Sequence, residues 1–140
     1  MEPGYELRAG VPPVADYRRL RAVSGLTPRS QEASAAGLPR SCHGVHVVRD
    51  GAVVGMGRII GDGALVFTIC DVAVDPGHQG RGLGHAIMAA LVGHLRASVP
   101  AEAYVSLVAD GEAHRLYAKF GFEPVTPAGI GMAMWMRRAP

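Results

Sequence analysis

The sequence predicts an α/β protein of the α+β kind: a central mixed, mostly antiparallel sheet of six to seven strands flanked by about four helices. Three observations predict it. Three runs rich in β-branched residues follow one another through tight turns in the middle of the chain. A strand, a glycine-rich loop, a helix and another strand then fill residues 64–109. Stretches of helical period stand before and after this region.

Each element has a local reason. Tyr5 to Arg8 reads as a short first strand. After Pro12-Pro13, Tyr17, Leu20 and Arg21 recur at helical spacing, and Gly25 ends that helix. A second short helix is expected over Arg29 to Ala36, with Thr27 as N-cap, Pro28 at its first position and Gly37 as terminator. His46 to Val48 and Val53 to Ile60 form a hairpin about Asp50-Gly51. Gly61-Asp62-Gly63 turns the chain again into the long apolar strand Ala64 to Val74, which completes a three-strand meander. His85 to Ala97 carries an apolar stripe of Ile87, Met88, Leu91, Val92 and Leu95, and Pro100 stops it. Ala103 to Ala109 is a strand. Asp110 to Phe120 is a helix with Leu116, Tyr117 and Phe120 on one face, capped by Gly121. Phe122 to Val125 and Ile130 to Met136 are expected to close the sheet, with Met132, Met134 and Trp135 in core and edge packing. Residues 64–109 form a βαβ unit, whose strands must run parallel or splay at the sheet centre.

Composition limits the function classes. The 140 residues suit one domain, 1–140, with 49% hydrophobic and 19% charged residues, as in a globular protein. The 14 Lys+Arg against 12 Asp+Glu give a net charge of +2. The cations are scattered, which argues against nucleic acid and against a membrane surface as partners. Cys42 and Cys70 make no disulfide framework, and Cys70 lies in an apolar run as a buried thiol. No signal peptide and no membrane-spanning run is read, so the expected location is cytoplasmic. His43-x-x-His46 is too sparse for a metal site, and no metal is expected.

The chemistry lies in Gln79-Gly80-Arg81-Gly82-Leu83-Gly84, between the long strand and the helix. Glycines let backbone approach a ligand, and the unpaired N–H groups and positive end of the following helix meet there, which makes an anion site suited to pyrophosphate. Arg81 adds a cation. A nucleoside triphosphate loop would need Gly-Lys-Ser/Thr where this chain has Gly84-His85. A dinucleotide fingerprint would need different glycine spacing. A tight connection with no ligand is the bland alternative.

Gln-x-x-Gly-x-Gly after a strand ending Val72-Ala73-Val74-Asp75-Pro76 resembles the coenzyme A pyrophosphate loop of the GNAT superfamily of N-acetyltransferases. Ala113-His114-Arg115-Leu116-Tyr117-Ala118-Lys119-Phe120-Gly121-Phe122 is similar to that family's Ala-x-x-Leu-Tyr-x-x-x-Gly-Phe segment, and the order of elements follows the GNAT plan over nearly the whole chain. The resemblance implies a sheet splayed between strands 4 and 5 and acetyl-CoA as co-substrate. It implies backbone N–H groups of Arg81, Gly82, Gly84 and His85 on the pyrophosphate, with Gln79, Gly80 and Leu83 completing the loop. It also implies that Val72, Ala73 and Val74 lie along the pantetheine, with the N–H near Val72 as oxyanion donor. Family members carry Asn where this chain has Asp110, which accepts but cannot donate; as a helix N-cap it serves equally.

By the same resemblance Tyr117 is the general acid that protonates the leaving thiolate; the alternative reading is a core aromatic beside Phe120. No general base stands out, and a water chain is expected. Thr68, Cys70 and Val72 share one face by the two-residue period, and the resemblance implies that Thr68 and Cys70 face the acceptor. Asp71 should point the other way, as a buried structural carboxylate, unless a bulge shifts the parity. Leu26 to Leu38 would roof the acceptor cleft. Arg58 is either a carboxylate clamp or a cross-strand partner. His78 and His85 flank the loop. The expected function is acetyl transfer to a primary amine of a small molecule by direct attack. Transfer to a protein or peptide, and a non-catalytic CoA-binding domain, stand as alternatives. A homodimer through the last strands is in keeping with similar folds.

Overall fold

The computed structural model describes residues 1–136. They fall into two compact units, one spanning Met1–Leu107 and one beginning at Val108. The first unit runs β1 (Glu6–Ala9), α1 (Val14–Val23), α2 (Gln31–Gly37), β2 (His43–Arg49), β3 (Ala52–Gly61), β4 (Val66–Val74), α3 (Leu83–Ser98) and β5 (Tyr104–Ser106). The sheet has strand order β1-β2-β3-β4-β5. Its first four strands pair antiparallel, and β4 pairs with β5 in parallel. Among the described residues no helix is long and apolar enough to cross a membrane.

The mixed sheet, the meander and the parallel pair agree with the sequence reading; several boundaries move for local reasons. The helix expected from Arg29 begins at Gln31, because Ser30 and not Thr27 is its N-cap, accepting from Ala33 N at 3.0 Å. The carbonyls of Thr27 and Arg29 are held instead by the Arg21 and Arg18 side chains of α1, at 2.8 and 2.9 Å. β4 starts at Val66 because Asp62 Oδ1 collects the N–H groups of Ala64, Leu65 and Val66 at 2.8, 2.7 and 3.2 Å, winding those residues into the turn.

α3 starts two residues earlier than expected, from Gly82 in the left-handed region (φ 82°). Leu83, Ile87, Met88, Leu91, Val92 and Leu95 are its buried stripe, packed on β2, β3 and β4. Each such side chain contributes about 1.5–3 kcal/mol by leaving water. The helix comes close because β3 offers Gly55 and Gly57: a Cβ at Gly57 would stand 2.7 Å from Ile87 Cγ2 and 2.9 Å from Leu91 Cδ1. On the other face of the sheet, Tyr17 and Leu20 of α1 pack with Leu38, Val48, Val53, Met56 and Ala73.

The second unit contains α4 (His114–Ala118), shorter than the helix expected over Asp110 to Phe120. Gly121 ends it at φ 95°, as its position after the helix requires. The closing strands expected at Phe122 to Val125 and Ile130 to Met136 do not form, which leaves five strands among the described residues rather than six or seven. Pro124 and Pro127 have no N–H to give a ladder, and Gly129 and Gly131 weaken extended pairing. Met132, Met134 and Trp135, expected in packing, are 91%, 79% and 49% exposed.

Candidate active site

The site grows from one irregularity in β4. Met56 faces Ala73 and Arg58 faces Cys70 in the β3–β4 register, so Asp71 and Val72 together oppose Gly57. This is a β-bulge, and Asp71 takes the left-handed conformation (φ 57°) that aspartate tolerates better than most residues. The extra residue resets the alternation of side chains. Asp71 and Ala73 reach the α1 face, where they meet Tyr17. Val72 turns to the α3 face, its Cγ2 lying 3.4 Å from where a Gly57 Cβ would be. The expectation that Thr68, Cys70 and Val72 share one face is therefore corrected: the bulge parts Val72 from the other two. It also brings Asp71 to the side that unbroken alternation denies it.

β4 has an open edge on both sides of the bulge. β5 pairs only with Val66, Phe67 and Thr68, so among the described residues Ile69 to Val74 have no strand beside them on that side. Backbone groups of an open edge can pair with an extended ligand. Thr68 Oγ1 meets Ser106 Oγ at 3.5 Å, on the paired half of the strand.

Asp71 is the hub of the α1 face, with its side chain 8% exposed. Its Oδ1 accepts from Arg21 Nη1 at 2.5 Å, and its Oδ2 accepts from Arg58 Nε at 2.6 Å and from the Tyr17 hydroxyl at 3.1 Å. A buried ion pair holds only when its charges are matched and hydrogen-bonded, and here both oxygens are. Arg58 Nη1 also donates to Ser41 Oγ at 3.2 Å. Burial works to lower the Arg58 guanidinium, but its hydrogen bond to Asp71 and the nearby Cys70, Asp71 and Tyr17 outweigh it and hold it above its ordinary value. Burial, then the Asp71 charge, raises the Tyr17 phenol. Cys70 precedes the bulge. Burial, then Asp71, pushes its thiol up to about 11, against the opposing pull of Arg58, Arg21 and Arg29. A thiol so raised is almost wholly protonated near neutrality and a weak nucleophile.

A pocket of about 210 Å³ opens on this face, lined by Tyr17, Arg29, Ser34, Leu38 and Arg58 among others. Arg29, Ala33, Ser34, Gly37 and Leu38, from the segment expected to roof the acceptor cleft, thus line a cavity. Sequence reasoning passed over Tyr17, Arg21 and Arg29. Arg21 carried a signal nonetheless: a cation on the stripe of Tyr17 and Leu20 is buried, and a buried cation requires a carboxylate.

The glycine-rich loop follows β4 directly. Asp75 N donates to Val54 O at 2.8 Å, and Asp75 Oδ1 accepts from Gly77 N at 2.9 Å, which fixes the exit from the strand. Gln79 Nε2 donates to Val74 O at 3.1 Å, tying the loop to the end of the open edge. Gly80 and Gly82 have φ of 76° and 82°, conformations that side chains resist, and the space above Gly80 is clear. Ala86 N makes the first helical bond of α3, to Gly82 O, so the N–H groups of Leu83, Gly84 and His85 precede the ladder. Tyr5 was not foreseen as part of this loop. Its hydroxyl receives Arg81 Nη1 at 3.0 Å and meets His78 Nδ1 at 2.8 Å. His43 stacks on His94 with ring centroids 3.8 Å apart, whereas His46 Nδ1 faces Gly10 O. Open edge, glycine loop and helix start thus follow one another within Ile69–His85, an arrangement that fits a long ligand with an extended arm and a phosphate group.

In the second unit Tyr117 is buried, and burial, then the Asp110 charge, holds its phenol above the ordinary value. It therefore keeps its proton at neutral pH. Asp110 is exposed and does not cap α4: the N-cap is Ala113, without a side-chain bond. Asp110 contributes its carbonyl, which receives Ala113 N at 3.0 Å.

A model of the acetyltransferase (GNAT) family matches residues 14–122. Among solved structures, SA2161 from meticillin-resistant Staphylococcus aureus, described as a protein of unknown function and probable acetyltransferase, is 37% identical. The match covers 94% of this chain and 98% of that one, with a TM-score of 0.89. Histone acetyltransferase TAP1 of Glycine max is 36% identical over 96 residues, 69% of this chain and 40% of that protein. Serotonin N-acetyltransferase 2, chloroplastic, of Oryza sativa subsp. japonica is 35% identical over 88 residues, 63% of this chain and 43% of that protein. The chain spans less than half the length of these two relatives.

Proposed function

Because the chain belongs to the acetyltransferase (GNAT) family, we propose that it transfers acetyl from acetyl-CoA to a primary amine of a small molecule, by direct attack in a ternary complex. The observation that carries this reading is the open edge of β4 from Ile69 to Val74, running from the bulge into the glycine loop at the start of α3. Acetyl-CoA supplies the activated acetyl group. The N–H groups of Arg81, Gly82, Gly84 and His85 would hold its pyrophosphate, and Gln79, Gly80 and Leu83 shape that cradle. Val72, Ala73 and Val74 would align the pantetheine, with a backbone N–H near Val72 stabilising negative charge on the carbonyl oxygen. Tyr117, a phenol that keeps its proton, would serve as general acid toward the leaving thiolate.

Direct attack fits better than an acyl-cysteine route, because Cys70 holds its proton to about pH 11. Asp71 is poorly placed as base, since Arg21, Arg58 and Tyr17 already occupy its oxygens. The amine proton would leave through water, helped by the arginines, whose charge disfavours an ammonium. Free Cys42 and Cys70 are in keeping with a cytoplasmic enzyme, while the rice relative is named as chloroplastic. Transfer to a protein, which the soybean relative's name suggests, is the second reading.

Thermal melting with and without acetyl-CoA tests this, since a ligand of the folded state adds about 2.7 kcal/mol at a hundred times its Kd. A raised midpoint is expected; no shift at millimolar ligand would sink the reading. Tyr117→Phe should then cut turnover by about a hundredfold or more while the melting shift persists. Unchanged turnover would return Tyr117 to a packing role.

A further inference from the structure

The pocket under α1 and α2 has a composition that narrows the acceptor. Among the described residues, the charged side chains that line it are Arg29 and Arg58, with no acid beside them. Asp71, which lies beneath, is engaged by Arg21 and Arg58. Two guanidiniums therefore share one carboxylate, and the surplus is positive. Arg58 is fixed through Nε to Asp71 and through Nη1 to Ser41, which presents a rigid fork; its Nη2 has no protein partner among the described residues. With its side chain only 18% exposed, its charge is weakly screened. Leu38 and Tyr17 supply apolar wall beside these cations. An arginine held in this way binds planar oxyanions in preference to neutral groups.

We infer that this pocket selects a small amine that also carries an anionic oxygen group, a carboxylate or a phosphate, held by Arg58 and Arg29. The inference rests on the acetyltransferase reading and names the substrate class for it. The geometry sets the scale of the acceptor. Arg58 faces Cys70 in the register, and the Asp71 it holds is the residue before Val72, so the anion site adjoins the strand segment proposed to hold the thioester. A cavity of about 210 Å³ takes a short amino acid or amino phosphate. The same positive surplus repels a lysine-rich peptide. The sources to separate are thus amino carboxylates and amino phosphates.

The experiment uses the full chain and acetyl-CoA, with release of the CoA thiol as readout. The panel pairs amino acids with their methyl esters and short amino-alkyl phosphates with the matching amino alcohols; serotonin and a lysine-rich histone-tail peptide complete it. The charged member of a pair is expected to exceed its neutral partner in kcat/KM by about tenfold or more, mainly through KM. Whichever pairs show the larger ratio identify carboxylate or phosphate as the anion. Arg29→Gln should reduce that charged-to-neutral ratio by about tenfold without loss of the acetyl-CoA melting shift, which shows that the fold and the cofactor site survive. Charged acceptors no better than neutral ones, turnover confined to serotonin or the peptide, or a ratio unmoved by Arg29→Gln would each overturn the inference. In those cases a persisting melting shift leaves the acetyl-CoA reading in place. Loss of any melting shift in the native chain would remove both.

Discussion

The two faces of the sheet are built on opposite principles, although one strand serves both. Toward α3 the contact is apolar and close: Ile87 and Leu91 rest on Gly57, with Val72 beside them. Toward α1 an apolar cluster of Tyr17, Leu20, Met56 and Ala73 surrounds a buried carboxylate with two guanidiniums. The bulge at Asp71–Val72 is what divides them, sending one residue of the pair to each face. A packed apolar face gives rigidity. Charged groups held in a buried network give a fixed field at the acceptor pocket, at a cost in desolvation that only full pairing offsets. The α3 face thus supports the helix whose first turn forms the proposed phosphate cradle, and the α1 face carries chemistry.

The largest way to break this contrast is Asp71→Asn. The substitution keeps the shape and removes the charge, leaving Arg21 and Arg58 facing each other in a buried site. Breaking a buried pair in this way costs about 3–5 kcal/mol. Urea unfolding should show the midpoint falling accordingly with an unchanged slope. A loss below about 1 kcal/mol would mean that the network is hydrated and that the α1 face is not a buried charged layer.

Gly57→Ala probes the other face with a smaller effect. The added methyl would stand 2.7 and 2.9 Å from atoms of Ile87 and Leu91, so α3 must shift or those side chains leave their rotamers. Overpacking of this kind costs about 1–3 kcal/mol. Since the start of α3 is in the proposed phosphate cradle, a weakened acetyl-CoA melting shift should accompany the loss of stability. Lost stability with undiminished acetyl-CoA binding would uncouple the packed face from the loop.

How much of this was legible in the sequence follows from the range of the causes. Periodicity and turn chemistry are local, and they placed the hairpin, the stripe of α3 and the glycine loop. The position of β4's first residue escaped because Asp62 binds three successive N–H groups, a cap that alternation does not reveal. The helix after Pro28 escaped by two residues because Arg18 and Arg21, from another element, claim the carbonyls on which it would have started. The face of Val72 was misread for the same reason: a bulge is a property of two strands in register, and neither strand carries it alone. Asp71 itself carried a hint, as a lone charge within the apolar run of β4, yet its partners Tyr17 and Arg21 lie some fifty residues away. Tyr5 reaches Arg81 and His78 across a still longer separation, and no spacing rule could have joined them.

Cys70 offers the finest test of the contrast, because it stands on the charged face one residue before the bulge. Three arginines pull its thiol down and burial with Asp71 pushes it up; burial prevails, and the group titrates at about 11. Two consequences follow. At pH 8 roughly one thiol in a thousand is ionised, so iodoacetamide should label exposed Cys42 and spare Cys70, giving a single adduct by intact mass. Labelling of Cys70 should appear only as the pH climbs toward 11. The raised value also links to stability. The folded state keeps a proton that the unfolded thiol loses near its usual value of 9.0, so this contribution is complete below about pH 9 and is lost as pH rises to about 11. Allowing for partial exposure, it amounts to on the order of 1–2 kcal/mol. Cys70→Ala should therefore unfold less steeply with rising pH across that window than the native chain does. Equal labelling of both cysteines at pH 8 would mean that the arginines, and not burial, govern this face, and the acceptor pocket would then be a wetter place than its walls suggest.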